Sequence, residues 1–177
     1  MMLHISLLVM TLVCSMGLCL LQMAWMEEGN LELRLSLVHE RRLILALPLT
    51  PGEAFTIHYY HSVEGTPIWE THVMDARGKI YIVEERYEKI GAGMGKMPGV
   101  GRMVQRGKYE VIEDMNMMVG DFILRVGRPE VAHTLIWRDR EFNLSNRIPH
   151  RAVKFSGRTV GWFHRFFTAG RTPVPHV

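Results

Sequence analysis

Apolar residues are distributed along this chain in two different ways. Between residues 3 and 26 they run almost unbroken, and His4 is the only histidine or charged residue in the stretch. Residues 5–26 exceed the roughly 20 residues that a helix needs to cross a hydrocarbon core of about 30 Å. Backbone inside such a core must satisfy its own N–H and C=O groups, so the pattern predicts a transmembrane helix with Trp25 at its interfacial end. From Leu31 the period changes to two. Leu31, Leu33, Leu35 and Leu37 alternate with Glu32, Arg34 and Ser36, and Leu43, Leu45 and Leu47 repeat the pattern before Pro48 and Pro51-Gly52. Alternation of this kind marks a strand with one buried face. Further strands are predicted over residues 55–63, 68–74, 79–90, 108–112, 121–126 and 132–137, with turns at Glu64-Gly65-Thr66-Pro67 and Asp75-Ala76-Arg77-Gly78. About eight strands with short connections make a mostly β fold, an antiparallel sandwich or barrel-like domain following one N-terminal transmembrane helix.

The 177 residues therefore divide into a membrane anchor (1–28), a β domain (31–145) and a C-terminal tail (146–177). A cleaved signal peptide would carry a basic start and small residues before the cut, and neither is present. A lipoprotein signal fits poorly, because Met16-Gly17-Leu18 precedes Cys19. A lone N-terminal anchor of this kind commonly exports the domain attached to its C-terminal end. The expectation is a single-pass protein of the cytoplasmic membrane with its β domain outside the cytoplasm.

Charge sharpens the picture at one end. The chain carries a net charge of +3, and after Glu141 there is no acidic residue, only Arg147, Arg151, Lys154, Arg158, Arg165 and Arg171. The tail also holds Trp162, Phe163, Phe166 and Phe167. The aromatic stretch from Val160 to Phe167 is too short to span a bilayer and suits either headgroup contact or packing on the domain. Nucleic acid is not an expected partner for a domain outside the cytoplasm. Both cysteines, Cys14 and Cys19, lie in the anchor, so the β domain can form neither a disulfide nor a thiolate zinc site. No metal and no cofactor is expected.

Candidate chemistry concentrates in His58-Tyr59-Tyr60-His61-Ser62-Val63-Glu64 and in Trp69-Glu70-Thr71-His72. A hairpin centred on Gly65 would set His58 opposite His72, Tyr60 opposite Glu70 and His61 opposite Trp69, gathering imidazoles, a phenol and a carboxylate on one face. A slip of one residue would turn every side chain to the other face. His61 shares the parity of Phe55, Ile57, Tyr59 and Val63, so on an apolar face it needs a polar partner, and Ser62 and Glu64 are the nearest. His133, after Arg128-Pro129-Glu130, either joins this group or lies in the core. The segment Gly91-Ala92-Gly93-Met94-Gly95-Lys96-Met97 fails as a Walker loop, since Ile90 stands where the first glycine belongs and Met97 where Ser or Thr belongs. It reads instead as a loop beside a binding surface, with Gly91 and Gly93 letting a ligand approach the backbone. Ser62 has histidine and carboxylates nearby but no nucleophile-elbow motif around it. The candidate binding residues are thus His61, Ser62, Glu64, Glu70, Gly91, Gly93 and His133.

Pro51-Gly52-Glu53-Ala54-Phe55, Tyr60-His61-Ser62-Val63-Glu64-Gly65-Thr66-Pro67, Trp69-Glu70, Gly91-Ala92-Gly93-Met94, Arg125-Val126-Gly127 and His133 together resemble an uncharacterised bacterial family, the domain of unknown function numbered eighteen-fifty. The resemblance spans roughly residues 43–137, and its most specific part is the His-Ser-Val-Glu turn. Members of that family carry an N-terminal hydrophobic segment and a small domain, and often occur beside TRAP transporters of the TAXI type, which take up organic anions. The resemblance implies an accessory role near such a transporter.

Three readings of function arise. The first is a non-enzymatic, membrane-anchored accessory or binding protein outside the cytoplasm, favoured because no catalytic motif is complete. The second is a hydrolase or metal-dependent enzyme using His61, Glu64, Glu70 and His133, which requires those side chains to converge. The third is a structural envelope protein.

Overall fold

The computed structural model describes residues 31–88 and 100–160. The expected membrane helix, the loop with Gly91 and Gly93, and the aromatic end of the tail lie outside those residues. Among the described residues no helix is long and apolar enough to cross a membrane.

The described chain is mostly strand. In order it runs β1 (Leu31–Leu37), β2 (Arg42–Leu49), β3 (Ala54–Tyr60), β4 (Pro67–Met74), β5 (Ile80–Tyr87), β6 (Arg102–Arg106), β7 (Tyr109–Glu113), β8 (Met117–Met118) and β9 (Phe122–Arg125). A 3-10 turn (Pro129–Val131), β10 (Thr134–Trp137), β11 (Arg140–Asn143), a short helix α1 (Leu144–Arg147) and β12 (Ala152–Thr159) complete it. All pairings are antiparallel. One sheet has the order β2-β1-β12-β9, and the other β11-β10-β3-β4-β5-β7-β6 with β8 added to β5.

The alternation in the leucine strands explains the smaller sheet. Leu31, Leu33, Leu35 and Leu37 are all buried, as are Leu45, Leu47 and Leu49. The intervening polar residues face outward. These leucines meet Phe55, Ile57, Met74, Ile80, Leu135 and Trp137 of the larger sheet in one continuous core. Four rings bind the sheets together. Phe55 stacks on His72 at 5.1 Å, His72 on Phe122 at 5.4 Å and Phe122 on Phe155 at 4.8 Å. His72 is fully buried in this stack, and burial pulls its pKa down to about 4. Its Nδ1 is 3.0 Å from the Glu70 carbonyl oxygen. A carbonyl only accepts, so Nδ1 carries the proton and donates.

Two departures from the expected pattern shape the functional end. First, the β3–β4 hairpin pairs Tyr60 with Pro67, His58 with Trp69, Ile57 with Glu70 and Phe55 with His72. The loop is six residues long, closed by His61 N–H donating to the Thr66 carbonyl at 2.9 Å. Its midpoint falls between Val63 and Glu64, not at Gly65. The expected pairs His58–His72, Tyr60–Glu70 and His61–Trp69 are therefore replaced. Glu70 and His72 turn to the core side, and Val63 sits 80% exposed at the loop instead of on an apolar strand face.

Second, β5 carries a bulge. Thr71 pairs with Glu84 but His72 pairs with Ile82, leaving Val83 extra. A bulged residue shifts the alternation by one. Ile82 before it and Glu85 and Tyr87 after it consequently share the inner face. This places Glu85 directly opposite Glu70.

β12 lies within the stretch assigned to the tail, yet it is a central strand. It pairs along its length with β1 and also with β9, so the β unit extends to Thr159. Leu31 pairs with both Thr159 and Leu49 at one end of the fold. Gly52 N–H donates to the Met74 carbonyl there at 2.9 Å, and Gly78 abuts Gly157. The His61–Thr66 loop lies at the opposite end of β3.

Candidate functional site

The hairpin loop is built around His61. Glu64 N–H donates to His61 Nδ1 at 3.0 Å, and Gly65 N–H to the His61 carbonyl at 2.9 Å. Gly65 adopts φ +64°, a conformation that glycine reaches without steric cost. Since Nδ1 accepts, the neutral imidazole carries its proton on Nε2. Beside the loop runs the 3-10 turn, capped by Ala132 at φ 53°. The two turns enclose an open hollow of about 300 Å³ lined by Tyr60, His61, Ser62, Gly65, Arg128, Glu130 and Val131. Arg128 and Glu130 form an ion pair at the rim, Nε to Oε2 3.5 Å.

Beneath one wall of the hollow lies a second group. The His133 ring stacks on Tyr59 at 5.0 Å, and its Nδ1 accepts from Gly127 N–H at 3.0 Å. This bond holds the start of the segment that carries Arg128 and Glu130. Burial lowers the pKa of His133. On the other side of Tyr59, its hydroxyl donates to Glu70 Oε1 at 2.7 Å. Burial raises the Glu70 pKa, and the hydrogen bond from Tyr59 partly offsets the rise. Burial, with the neighbouring charge of Glu70, raises Glu85 as well. Tyr87 is pushed up to about 12 by burial and by the charges of Glu85 and Glu110. The Tyr87 hydroxyl and Glu110 Oε2 are buried without a hydrogen-bond partner among the described residues. The inner face thus gathers carboxyl groups in a poorly solvated setting, where a retained proton costs less than two adjacent charges.

The opposite face of the same rows carries a different set. Trp69 lies between His58, ring centroids 4.8 Å apart, and the Arg86 guanidinium, 4.4 Å from its ring. Tyr109 meets Trp69 edge to face at 5.5 Å. Burial lowers the pKa of His58.

The sequence-derived candidates therefore separate. His61 and Ser62 line the hollow, and Glu64 belongs to the same loop with its side chain outward. Glu70 and His133 flank Tyr59 on the inner face. Gly91 and Gly93 lie outside the described residues. Tyr59, Glu85, Arg128 and Glu130 complete the picture and were not singled out from sequence. The phenol that meets Glu70 is Tyr59 and not Tyr60. Alternation with Phe55 and Ile57 marked Tyr59 as inward-facing, but only the hairpin register reveals its partner. Among the described residues no group of three or more His, Cys, Asp or Glu side chains is placed to hold a metal ion.

The model of a family described as a domain of unknown function, DUF1850, matches residues 55–144. No curated protein and no solved structure matches the chain. The matched stretch begins in β3 and ends in α1, and so contains the hairpin loop, the 3-10 turn and both flanks of Tyr59.

Proposed function

The chain belongs to the DUF1850 family, and from that premise we propose that it is a non-enzymatic binding domain of the cell envelope. Its anchor, residues 1–28, holds a two-sheet sandwich outside the cytoplasm, and the hollow between the hairpin loop and the 3-10 turn is its contact site. The observation that carries this reading is the hydrogen bonding of the two histidines nearest the hollow. His61 and His133 each accept a backbone N–H at Nδ1. In the neutral ring the remaining nitrogen bears the proton. Neither ring offers a free lone pair to take a proton from a substrate, which a general base requires. Both act as donors and as braces of backbone. Glu70, the remaining carboxyl candidate on the inner face, is engaged by Tyr59. On this account neither imidazole is placed to act as the general base of the hydrolase reading.

The partner we propose is a subunit of a TAXI-type TRAP transporter, on the strength of the family resemblance. A photo-crosslinking residue at Ser62 of the tagged full-length chain, in native membranes, tests it. The expected product joins the chain to a transporter subunit, and deletion of the chain lowers organic-anion uptake. Crosslinks confined to unrelated proteins, with uptake unchanged by deletion, overturn the proposal and favour a structural envelope role.

A further inference from the structure

We infer that the hollow takes a small carboxylate, an inference that rests on the binding reading above. Three features of the lining specify an anion. The His61 tautomer, set by Glu64 N–H, leaves an Nε2–H donor. Ser62 adds a hydroxyl to the same wall, and Arg128 supplies a guanidinium whose planar fork matches a carboxylate in two-point contact. A volume of about 300 Å³ is at the small end of ligand sites and accommodates a small carboxylate.

The site is formed in advance of binding. The loop wall is tied by the hydrogen bonds of His61, Glu64 and Gly65. The other wall is tied by Val131 N–H to the Arg128 carbonyl at 3.0 Å and by Gly127 N–H to His133. Little ordering remains to be done when a ligand arrives, which favours binding by so small a surface.

Glu130 gives the inference a distinctive consequence. Its carboxylate is the resident partner of Arg128, at 3.5 Å. A ligand carboxylate has to compete with it for the same guanidinium. Removing the Glu130 charge should therefore tighten binding, whereas in a site for a cation or an amine it would weaken it.

The experiment follows amide resonances of the full chain in detergent micelles. It titrates mono- and dicarboxylates of two to six carbons, succinamide as a neutral analogue of succinate, and 1,4-diaminobutane as a cation. Arg128 and Glu130 are both largely exposed, so Arg128→Gln and Glu130→Gln should fold, which their thermal unfolding checks. The expected result is that a carboxylate shifts resonances of residues 60–65 and 128–131. Its neutral amide should bind at least about tenfold more weakly, as should Arg128→Gln, while Glu130→Gln binds more tightly. Binding of the diamine that is lost in Glu130→Gln, or equal binding of amide and acid, overturns the carboxylate inference and leaves the binding reading standing. No shift at either turn with any of these probes overturns the carboxylate inference, while the crosslinking experiment separately decides whether the hollow is a contact site.

Discussion

Tyr59 donates its hydroxyl to Glu70 Oε1 at 2.7 Å, diagonally across the β3–β4 pair, and so supplies the one side-chain hydrogen bond that this half-buried carboxyl receives among the described residues. Tyr59→Phe keeps the ring that stacks on His133 but leaves Glu70 without its donor. An unsatisfied buried polar group costs about 1–3 kcal/mol. Urea unfolding at neutral pH should show a loss of that size. A loss no greater than that of an exposed substitution such as Val63→Ala would mean that water replaces the bond.

The ring stack predicts acid sensitivity. The folded-state pKa of His72 is depressed to about 4, below its ordinary value of 6.5. Its contribution to stability is therefore complete above the unfolded value and is lost as pH falls toward the folded one. The loss should be about 2 kcal/mol between pH 7 and pH 4.5. His58 and His133, also lowered by burial, act in the same direction. Glu70 and Glu85 act in the opposite one, since their raised values favour the fold at low pH and that contribution is lost as pH rises through the folded values. Comparison of the native chain with His72→Phe isolates the stack. The variant should lose less stability over the same acid range, and equal slopes would remove His72 from the explanation.

Two glycines should respond differently to a methyl group. A Cβ on Gly157 would lie 2.0 Å from the Gly78 carbonyl oxygen and 2.6 Å from Met74 Sδ, where backbone cannot easily withdraw. Gly157→Ala should cost about 1–3 kcal/mol or more through overpacking between the sheets. At Gly65 nothing lies within 4 Å, but φ is +64°. Gly65→Ala should cost about 1–2 kcal/mol from the left-handed backbone alone. Thermal unfolding of the two variants side by side checks the order.

Glu53 joins two turns that are distant in sequence. It accepts from Trp137 Nε1 at 3.0 Å, from Arg138 Nε at 2.8 Å and from Thr50 N–H at 2.9 Å. Burial raises its pKa, but the hydrogen bonds from Arg138 and Thr50 outweigh that and hold it lowered. Glu53→Ala should destabilise the fold by about 1–3 kcal/mol, chiefly by orphaning the nearly buried indole N–H. It should also shift the Trp137 emission. Unchanged stability and emission would show that solvent satisfies all three donors.

The leucine strands were legible because Leu31, Leu33, Leu35 and Leu37, and Leu45, Leu47 and Leu49, are each buried on one face. Leu43, expected on that face, is 38% exposed because an irregularity at Ile44 pairs it with the outward Ser36. β12 was not legible. In Ala152–Thr159 only Val153 and Phe155 carry the apolar pattern, and Gly157 is small because Gly78 presses on it, a reason that exists only once the sheets meet. The basic residues around it suggested a tail. β6, β8 and β11 are short edge or accessory strands with little apolar signature. The hairpin register failed for a related reason. The left-handed glycine marks the end of the six-residue loop and not its centre, and an error of three positions reverses the faces. The bulge at Val83 is likewise invisible in the run from Ile80 to Tyr87. These two irregularities are what turn Glu70 and Glu85 inward, and they account for most of the difference between the expected site and the observed one.

Leu31 and Thr159 are partners in the same ladder and stand at the same end of it. Tension drawn between the chain before Leu31 and the chain after Thr159 would therefore load the β1–β12 pairing one rung at a time, starting at Leu31–Thr159 and travelling toward Leu37–Val153. Such a ladder parts like a zipper, at much lower force than one pulled lengthwise. A firm grip on both flanks at once would make this pairing, central to the smaller sheet, the first mechanical element of the fold to open.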